Sequence, residues 1–397
     1  MPYSTGTLLI AGVFVAGAAS LAYFGSGIFP VTYNTASPMA EGAISDDINT
    51  QNEKDELAFI VTHIKTPEPL KGIYMTACVA ATPSFRAKLV KLIDETELNA
   101  VIIDVKDYTG TIAFPTNNPK LKDVRGTGCA VSDMKEFVGL LHEKGIYVIA
   151  RITVFQDPTY TKIHPELAVK RASDGAVWKD HKGLSFIDVG AKLFWEYIVA
   201  LGEESYAIGF DELNFDYIRF PSDGNMKDIY YSWSEKEILS DVDMGKAKAL
   251  RNFFSYLHEH LSPTGAVLSA DLFGMTTTNT DDLNIGQVLE YAAPYFDYIM
   301  PMVYPSHYPP DFNGWKNPNT VPYEIVKFSM DAAARRLTAA STTPNKLRPW
   351  LQDFDYPVPY TPAMVRTQIQ ATYDTGLTSW MLWDAGNTYT REALHSE

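Results

Sequence analysis

The most informative feature of the sequence is a strand-like run with too many polar residues for a buried strand. It spans residues 209–221 and reads Gly-Phe-Asp-Glu-Leu-Asn-Phe-Asp-Tyr-Ile-Arg-Phe-Pro. Side chains alternate between the faces of a strand, so Glu212, Asn214 and Asp216 share one face and the intervening Leu213 points the other way. Burying an unpaired polar group costs on the order of 2–7 kcal/mol. The pattern therefore predicts hydrogen-bonding partners, with Asp216 nearest the functional end of the strand.

A second carboxylate follows on the next predicted strand. Residues 267–274 read Val-Leu-Ser-Ala-Asp-Leu-Phe-Gly, in which Ser269 and Asp271 share a face. Two neighbouring carboxyl groups push their pKa values apart, which leaves one ionised and one protonated, as glycoside cleavage requires. We predict Asp216 and Asp271 as catalytic residues. A supporting, non-catalytic role is the alternative for Asp271.

Polar and aromatic residues near the ends of the other predicted strands form a second set of candidates. Asp104 and Lys106 share one strand face, and a buried ion pair is an equally good interpretation of them. His307 is a lone histidine, which is more often structural. Polar groups at nearly every strand end suit a polyhydroxylated ligand. The predicted substrate-binding residues are Asp104, Lys106, Arg151, Glu212, Asn214, Arg219, Tyr304, His307, Trp350, Gln352, Trp383 and Asp384.

Motifs for several other chemistries are missing from the sequence. It has no CxxC pair and no HExxH, and the closest histidines, His258 and His260, would face apart on a helix. It also has no G-x-S-x-G elbow and no glycine-rich phosphate loop. We therefore predict neither a metal nor a cofactor.

The elements that must position these residues are eight short β-rich runs, which alternate with segments of helical periodicity. The predicted strands are residues 72–78, 100–106, 147–154, 210–219, 267–272, 298–304, 348–354 and 380–384. Helical patterns begin near Phe85 and Met134 and cover residues 194–207, 246–261, 287–295, 323–337 and 362–375.

This alternation favours an α/β fold with a closed parallel (β/α)8 barrel, a TIM barrel, over an open sheet. Loops that follow the strands build the active-site face of such barrels, and the two long ones are residues 155–191 and 305–322. Only 14 residues follow Trp383, too few for a full eighth helix. We predict that the barrel ends in a short turn or that the linker covers that side.

The N-terminal part of the chain is not part of the predicted barrel. Residues 7–31 are almost wholly apolar, carry no charge and are about long enough to span a bilayer. We interpret residues 1–31 as a membrane anchor or a cleaved signal, residues 32–69 as a flexible polar linker, and residues 70–397 as the barrel domain. Either interpretation places the barrel outside the cytoplasm, membrane-anchored or secreted.

The two cysteines, Cys78 and Cys129, follow the first and second predicted strands. Both would lie at the same rim of the barrel, and an oxidising compartment permits a disulfide. Pairing is therefore plausible, and free thiols remain the alternative.

Composition narrows the class of ligand. The formal net charge is −15, which repels phosphate backbones, so we predict no nucleic-acid partner. The same charge disfavours a strongly anionic polymer as substrate. Aromatic residues make up 13% of the chain, and their rings suit the C–H faces of neutral sugars, although most rings belong to the core of any protein. The oligomeric state does not follow from the sequence.

At this point the chain resembles a known family, the putative glycosyl hydrolase domain, a bacterial barrel family. The resemblance implies a TIM barrel and glycosidase-type activity on a carbohydrate, with no particular substrate. The strand at 209–221 also resembles the nucleophile strand of α-galactosidase-like and α-amylase-like barrels, which implies Asp216 as nucleophile and Asp271 as acid/base. The matching motifs are Lys-Gly-Ile-Tyr at 71–74 and the segments 99–107, 150–157, 209–221, 302–308, 348–354 and 381–385.

Three functional hypotheses follow. The leading one is hydrolysis of an extracytoplasmic poly- or oligosaccharide by two-carboxylate catalysis. The alternative is a non-catalytic carbohydrate-binding barrel anchored at the cell surface, and a third class is a structural protein of the envelope.

Overall fold

The described part of the chain, taken from a computed structural model, comprises residues 61–396 apart from Arg125 and Thr127. The apolar segment 7–31 and most of the predicted linker lie outside these residues. Within residues 61–396, none of the described helices combines the length and hydrophobicity needed to cross a bilayer.

Eight parallel strands form a closed barrel in chain order, and the first strand pairs with the last. The predicted (β/α)8 fold is confirmed, and every strand overlaps its predicted segment. The strands are β1 (Lys71–Met75), β2 (Ala100–Lys106), β3 (Tyr147–Thr153), β4 (Glu212–Asp216), β5 (Val267–Phe273), β6 (Tyr298–Met302), β7 (Trp350–Gln352) and β8 (Trp380–Trp383).

α-Helices follow the strands, except that among the described residues β8 is followed only by a short 3-10 helix, Arg391–Ala393. The helix predicted at 287–295 is only one turn long. Three further short helices, at 77–80, 158–163 and 235–240, were not predicted from the sequence, because one or two turns show no clear periodicity. The helices are α1 (Ala77–Ala80), α2 (Pro83–Asp94), α3 (Met134–Glu143), α4 (Pro158–Ile163), α5 (Lys192–Ala207), α6 (Glu235–Ser240), α7 (Gly245–Leu261), α8 (Leu289–Ala292), α9 (Pro322–Ala339) and α10 (Pro362–Asp374).

Strand alternation divides the apolar core into two layers. Leu213 and Phe215 of β4 belong to the layer between the barrel and the helices, as predicted from their parity. A smaller apolar cluster fills the barrel interior, where Tyr147, Ile149 and Met300 are buried. Polar side chains continue this interior toward the C-terminal ends of the strands, so the barrel is a packed core with a charged upper part.

Residues 61–69, which the sequence placed in the linker, lie against the N-terminal end of the barrel. The Ile64 N–H donates to Asp211 Oδ1 at 2.8 Å, and Thr66 Oγ1 lies 3.0 Å from the hydroxyl oxygen of Tyr147. The packed part of the chain therefore begins before residue 70.

Cys78 and Cys129 form a disulfide with a Cα–Cα distance of 4.5 Å. Cys78 lies in α1, directly after β1, and Cys129 lies in the loop between β2 and α3. The bond therefore ties two neighbouring loops at the active-site rim, where the sequence placed both cysteines.

Replacing both Cys78 and Cys129 with serine is expected to lower the free energy of unfolding. The cysteines are 51 residues apart, and in the chain-entropy model closing a loop of this length stabilises by about 4 kcal/mol. Urea unfolding followed by circular dichroism measures the change. Reductant should destabilise the wild type and leave the double variant unaffected; a wild type that is insensitive to reductant contradicts the prediction.

Candidate active site

The upper part of the barrel interior centres on Arg151, which lies among three carboxylates. Its Nη1 donates to Asp104 Oδ1 at 2.6 Å, its Nη2 makes a short hydrogen bond to Asp216 Oδ2, and its Nε lies 3.9 Å from Asp271 Oδ2. Arg151 is 5% exposed, and Asp104, Asp216 and Asp271 are 3%, 6% and 1% exposed. Four consecutive strands, β2 to β5, therefore bring their charged residues to one point.

Asp216 is the last residue of β4, and the backbone turns sharply after it. Tyr217 has a φ of 51°, in the left-handed region that a bulky residue seldom adopts. The Tyr217 N–H donates to Asp216 Oδ1 at 2.5 Å. Both oxygens of Asp216 thus accept hydrogen bonds. Such backbone strain is common at functional sites.

Asp271 has a different environment from Asp216. Its Oδ1 accepts hydrogen bonds from Asn214 Nδ2 at 3.0 Å and from Trp350 Nε1 at 2.8 Å. Burial raises the pKa of Asp271 well above its usual range, and the charge of Asp216 raises it further. Arg151 lowers that pKa, but its Nε is too far away for a hydrogen bond. The Asn214 and Trp350 hydrogen bonds also lower this pKa, but the effect of burial is larger, so the protonated form of Asp271 is favoured relative to an ordinary aspartate.

Two carboxyl groups thus lie beside one guanidinium in different environments. Asp216 is bonded to the cation, whereas Asp271 is desolvated and bonded to neutral donors. This division is the one that acid/base catalysis by two carboxyl groups requires. Strand parity predicted both inward positions, but it gave no sign that Arg151 joins them.

Aromatic side chains form one wall of the site. Trp383 is partly exposed and stacks on Tyr74 with ring centroids 4.0 Å apart. Trp350 meets Trp383 edge-on at 5.4 Å. The Tyr74 hydroxyl donates to Asp104 at 2.5 Å. Sequence reasoning did not select Tyr74, although it lies in the Lys-Gly-Ile-Tyr motif and shares the inward parity of β1.

Tyr304 follows β6 and is also buried at this site. Burial raises the pKa of the Tyr304 hydroxyl well above its usual range, and the nearby charges of Asp271 and Asp216 add to the effect. Tyr304 therefore lies close to both candidate catalytic carboxylates, as a neutral phenol.

Glu212 lies deeper in the barrel than Asp216 and has its own partners. Its Oε2 accepts from Arg348 Nη1 at 2.9 Å and from the Tyr147 hydroxyl at 3.1 Å, and Glu212 is completely buried. It supports the interior and does not reach the rim. Arg348 was not selected as a site residue from the sequence. The signal that could have found it is a positive charge at the start of a predicted barrel strand, in a barrel whose interior contains Glu212.

Lys106 does not join the cluster, contrary to the parity argument. The pairing of β2 with β3 shifts register between Asp104 and Lys106, and this irregularity turns Lys106 out of the interior. Its Nζ lies 2.9 Å from Asp157 Oδ2, with both side chains fully buried, and 5.9 Å from the Phe194 ring in the helix layer. Of the two interpretations of Lys106, substrate contact and a buried ion pair, the structure fits the ion pair, which forms with Asp157.

Replacing Lys106 with methionine is expected to destabilise the protein by about 3–5 kcal/mol, because Asp157 would remain buried without its counter-charge. The double variant Lys106→Met, Asp157→Asn should be more stable than Lys106→Met alone. Thermal unfolding of the two variants and the wild type measures this. Equal stability of wild type and Lys106→Met would show that the pair does not form.

Arg219 and Asp384 lie on loops at the rim and are bound to their own loops. The Arg219 guanidinium lies 4.9 and 4.8 Å from the ring centroids of Tyr217 and Phe273, and it donates to Ser222 Oγ at 3.0 Å. Asp384 accepts from the Gly386 N–H. The described structure does not place either side chain on the Asp216–Asp271 pair.

Gln352 and His307 also hold loops. The Gln352 Oε1 accepts the Ser306 N–H at 3.1 Å, and its Nε2 donates to two backbone carbonyls, those of Phe354 and Tyr356, at 3.1 and 3.0 Å. His307 lies 3.0 Å from Ser306 Oγ, and burial lowers its pKa to about 4. Gln352 therefore connects the loops after β6 and β7, and His307 is a neutral group near physiological pH.

No group of three or more His, Cys, Asp or Glu side chains within residues 61–396, as far as these are described, is arranged to hold a metal ion. The polar cluster consists of Asp104, Asp216 and Asp271 around Arg151.

Several solved structures are similar to this chain. A hypothetical protein from Ruminiclostridium thermocellum ATCC 27405 is 31% identical, covering 50% of this chain and 96% of that one, with a TM-score of 0.44. The PgaB (BpsB) glycoside hydrolase domain from Bordetella bronchiseptica is 15% identical over 80% of this chain and 94% of that one, with a TM-score of 0.60. An α-L-fucosidase from Paenibacillus thiaminolyticus is 10% identical, covering 82% of this chain and 47% of that one, with a TM-score of 0.53.

The latter two likenesses, at such low identity, show the fold alone. No curated protein matches the chain. A family model described as "Putative glycosyl hydrolase domain" matches residues 72–389, which cover β2 to β8 and nearly all of β1. The chain belongs to this glycosyl hydrolase-like family.

Proposed function

We propose that this protein is a glycoside hydrolase that cleaves an extracytoplasmic poly- or oligosaccharide with Asp216 and Asp271. The observation that carries the proposal is the pair of carboxyl groups with unlike environments beside Arg151. Family membership supports the reaction class, and the glycoside hydrolases among the structural neighbours share the fold.

In this mechanism Asp271 transfers its proton to the glycosidic oxygen while the bond from that oxygen to the anomeric carbon breaks. Asp216 stabilises the positive charge that develops at the anomeric carbon, either by forming a covalent bond or by activating water. In the covalent route, water then breaks the bond between the sugar and Asp216 and gives one proton to Asp271; in the other route, the attacking water gives that proton to Asp216. The anomer of the first product, read by NMR, distinguishes retention from inversion.

The substrate class that fits the charges is an uncharged sugar. The cations described in or beside the site have partners: Arg151 binds two carboxylates, Lys106 binds Asp157, and Arg219 is enclosed by its own loop and two rings. A carboxylated sugar would meet acids without an available cation. Trp383 offers a partly exposed ring on which a neutral sugar face can stack.

The Cys78–Cys129 disulfide supports a location outside the cytoplasm, since such bonds persist in oxidising compartments. An anchor formed by residues 7–31 would hold the barrel at a membrane, and that segment lies outside the described residues.

A panel of neutral oligosaccharides, incubated with the full chain and followed by mass spectrometry of the products, tests the proposal. The expected result is release of shorter sugars by the wild type and none by a variant carrying Asp216→Asn and Asp271→Asn. Equal product formation by wild type and double variant would refute the assignment of these carboxylates.

One observation favours the alternative, a non-catalytic carbohydrate-binding barrel. Both oxygens of Asp216 already accept hydrogen bonds, so the carboxylate must exchange a partner to act on a substrate. Oligosaccharide binding measured by calorimetry, with no turnover of any panel member, would support this alternative.

A further inference from the structure

The edge of β1 that faces β8 is longer than its partner strand. The register between the two strands ends at Ile73 and Leu382. Alternate residues of a strand direct their N–H and C=O groups toward the same neighbouring strand. Tyr74, the next residue along β1, directs both groups toward the β8 side. These groups therefore extend beyond the β1–β8 ladder.

Two side chains from the segment after β8 bind there in place of a strand. The Tyr389 hydroxyl accepts the Tyr74 N–H at 3.0 Å and donates to the Tyr74 C=O at 2.5 Å. Asn387 Nδ2 donates to the same carbonyl at 3.2 Å, and its Oδ1 accepts the Thr76 N–H at 2.9 Å. The backbone at the end of β1 is thus held by side chains of the C-terminal segment.

The residue held in this way belongs to the candidate active site. The Tyr74 hydroxyl donates to Asp104, Asp104 accepts from Arg151, and Arg151 binds Asp216. Tyr74 also stacks on Trp383, the partly exposed ring of the aromatic wall. Hydrogen bonds on both ends of Tyr74, at its backbone and at its hydroxyl, therefore connect Tyr389 with the candidate catalytic carboxylate.

We propose that Tyr389, assisted by Asn387, is a positioning residue of this site: it fixes Tyr74, and through Tyr74 it fixes Asp104 and Arg151. The hydrogen bonds described for the Tyr389 hydroxyl go to the Tyr74 backbone and not to Asp216 or Asp271, so the proposed effect passes through Tyr74. The expected effect on turnover rests on the proposed glycosidase function. The expected effect on Asp104 does not, and it is measured separately.

The first experiment follows the carboxyl groups without any substrate. The full chain is labelled with 13C at the aspartate carboxyls and titrated by NMR, and the Asp104 signal is identified by its loss in Asp104→Asn. The Tyr74 hydrogen bond favours the ionised form of Asp104. Tyr74→Phe is therefore expected to move the Asp104 titration to higher pH, and Tyr389→Phe to move it the same way.

The matched control is Tyr373→Phe. The Tyr373 hydroxyl accepts from Trp380 Nε1 at 3.0 Å at the opposite end of β8, so the same chemical change there should leave Asp104 unmoved. An Asp104 titration that shifts in Tyr74→Phe and stays at its wild-type position in Tyr389→Phe overturns the proposal. Asn387→Ala, which removes the neighbouring contacts, gives the same test if Tyr389→Phe fails to fold.

The second experiment is a double-mutant cycle on turnover. Misplacing a catalytic group by about 1 Å can cost on the order of 10²-fold in rate, and we expect about a tenfold loss of kcat in Tyr389→Phe with KM within about twofold. In a protein that already carries Tyr74→Phe, adding Tyr389→Phe should lower kcat little further, because both substitutions act through the hydrogen bond from the Tyr74 hydroxyl to Asp104. Additive losses would overturn the proposal. A wild type without turnover would refute the glycosidase function, and the titration would still decide the role of Tyr389.

Discussion

Replacing Asp216 with asparagine should reduce turnover on the order of 10³–10⁵-fold, the range seen when a member of a concerted catalytic set is removed. The substitution preserves size and can keep the hydrogen bond from the Tyr217 N–H, but it removes the negative charge that stabilises the anomeric carbon. The loss should be as large with activated aryl glycosides as with natural sugars, because no leaving group compensates for a missing charge at that carbon.

Asp188→Asn is the matched control for this substitution. Asp188 is also fully buried, but it accepts from the backbone of Gly190 and Trp233 in the loops after β3 and β4. Circular dichroism verifies the folding of both variants. Similar activity losses in the two variants would indicate a structural effect and count against Asp216 as a catalytic residue.

Replacing Asp271 with asparagine is expected to give a loss that depends on the leaving group. A general acid contributes about 10²–10⁴-fold, so natural oligosaccharides should lose that factor. A dinitrophenyl glycoside leaves without protonation and should lose much less. This difference would separate the acid from Asp216, which is needed for both kinds of substrate.

The pH dependence of kcat gives a second measure of Asp271. Burial and the Asp216 charge raise the pKa of Asp271, so the catalytic proton is present below that raised pKa and is lost as pH rises through it. The wild-type profile should therefore have an alkaline limb well above the usual range of an aspartate, and this limb should vanish in Asp271→Asn. An unchanged alkaline limb in the variant would assign it to another group.

Strand alternation is a local property, and much of the site followed from it. The inward parity of Glu212, Asn214 and Asp216 needs only the period of two residues, and the same rule placed Asp271 on the adjacent strand. The barrel followed from eight such runs separated by helical patterns. The place of the cysteines at one rim followed from the same topology.

Contacts between strands decided the rest. Lys106 departs from its predicted face because the pairing of β2 with β3 shifts register, and a local pattern of residues contains no trace of such a shift. Arg151 reaches three carboxylates only because three other strands end beside it. The hold of Tyr389 on Tyr74 joins residues 315 positions apart, for which no spacing in the sequence gives a signal.

The sequence by itself determined the fold, the reaction class that its motifs resemble and the two inward carboxylates, because each depends on local periodicity or on a short motif. Only the tertiary structure gave the two carboxyl groups different environments. That difference comes from the burial of Asp271 and from the hydrogen bonds of Arg151 and Tyr217 to Asp216, and both arise when distant strands close into a barrel.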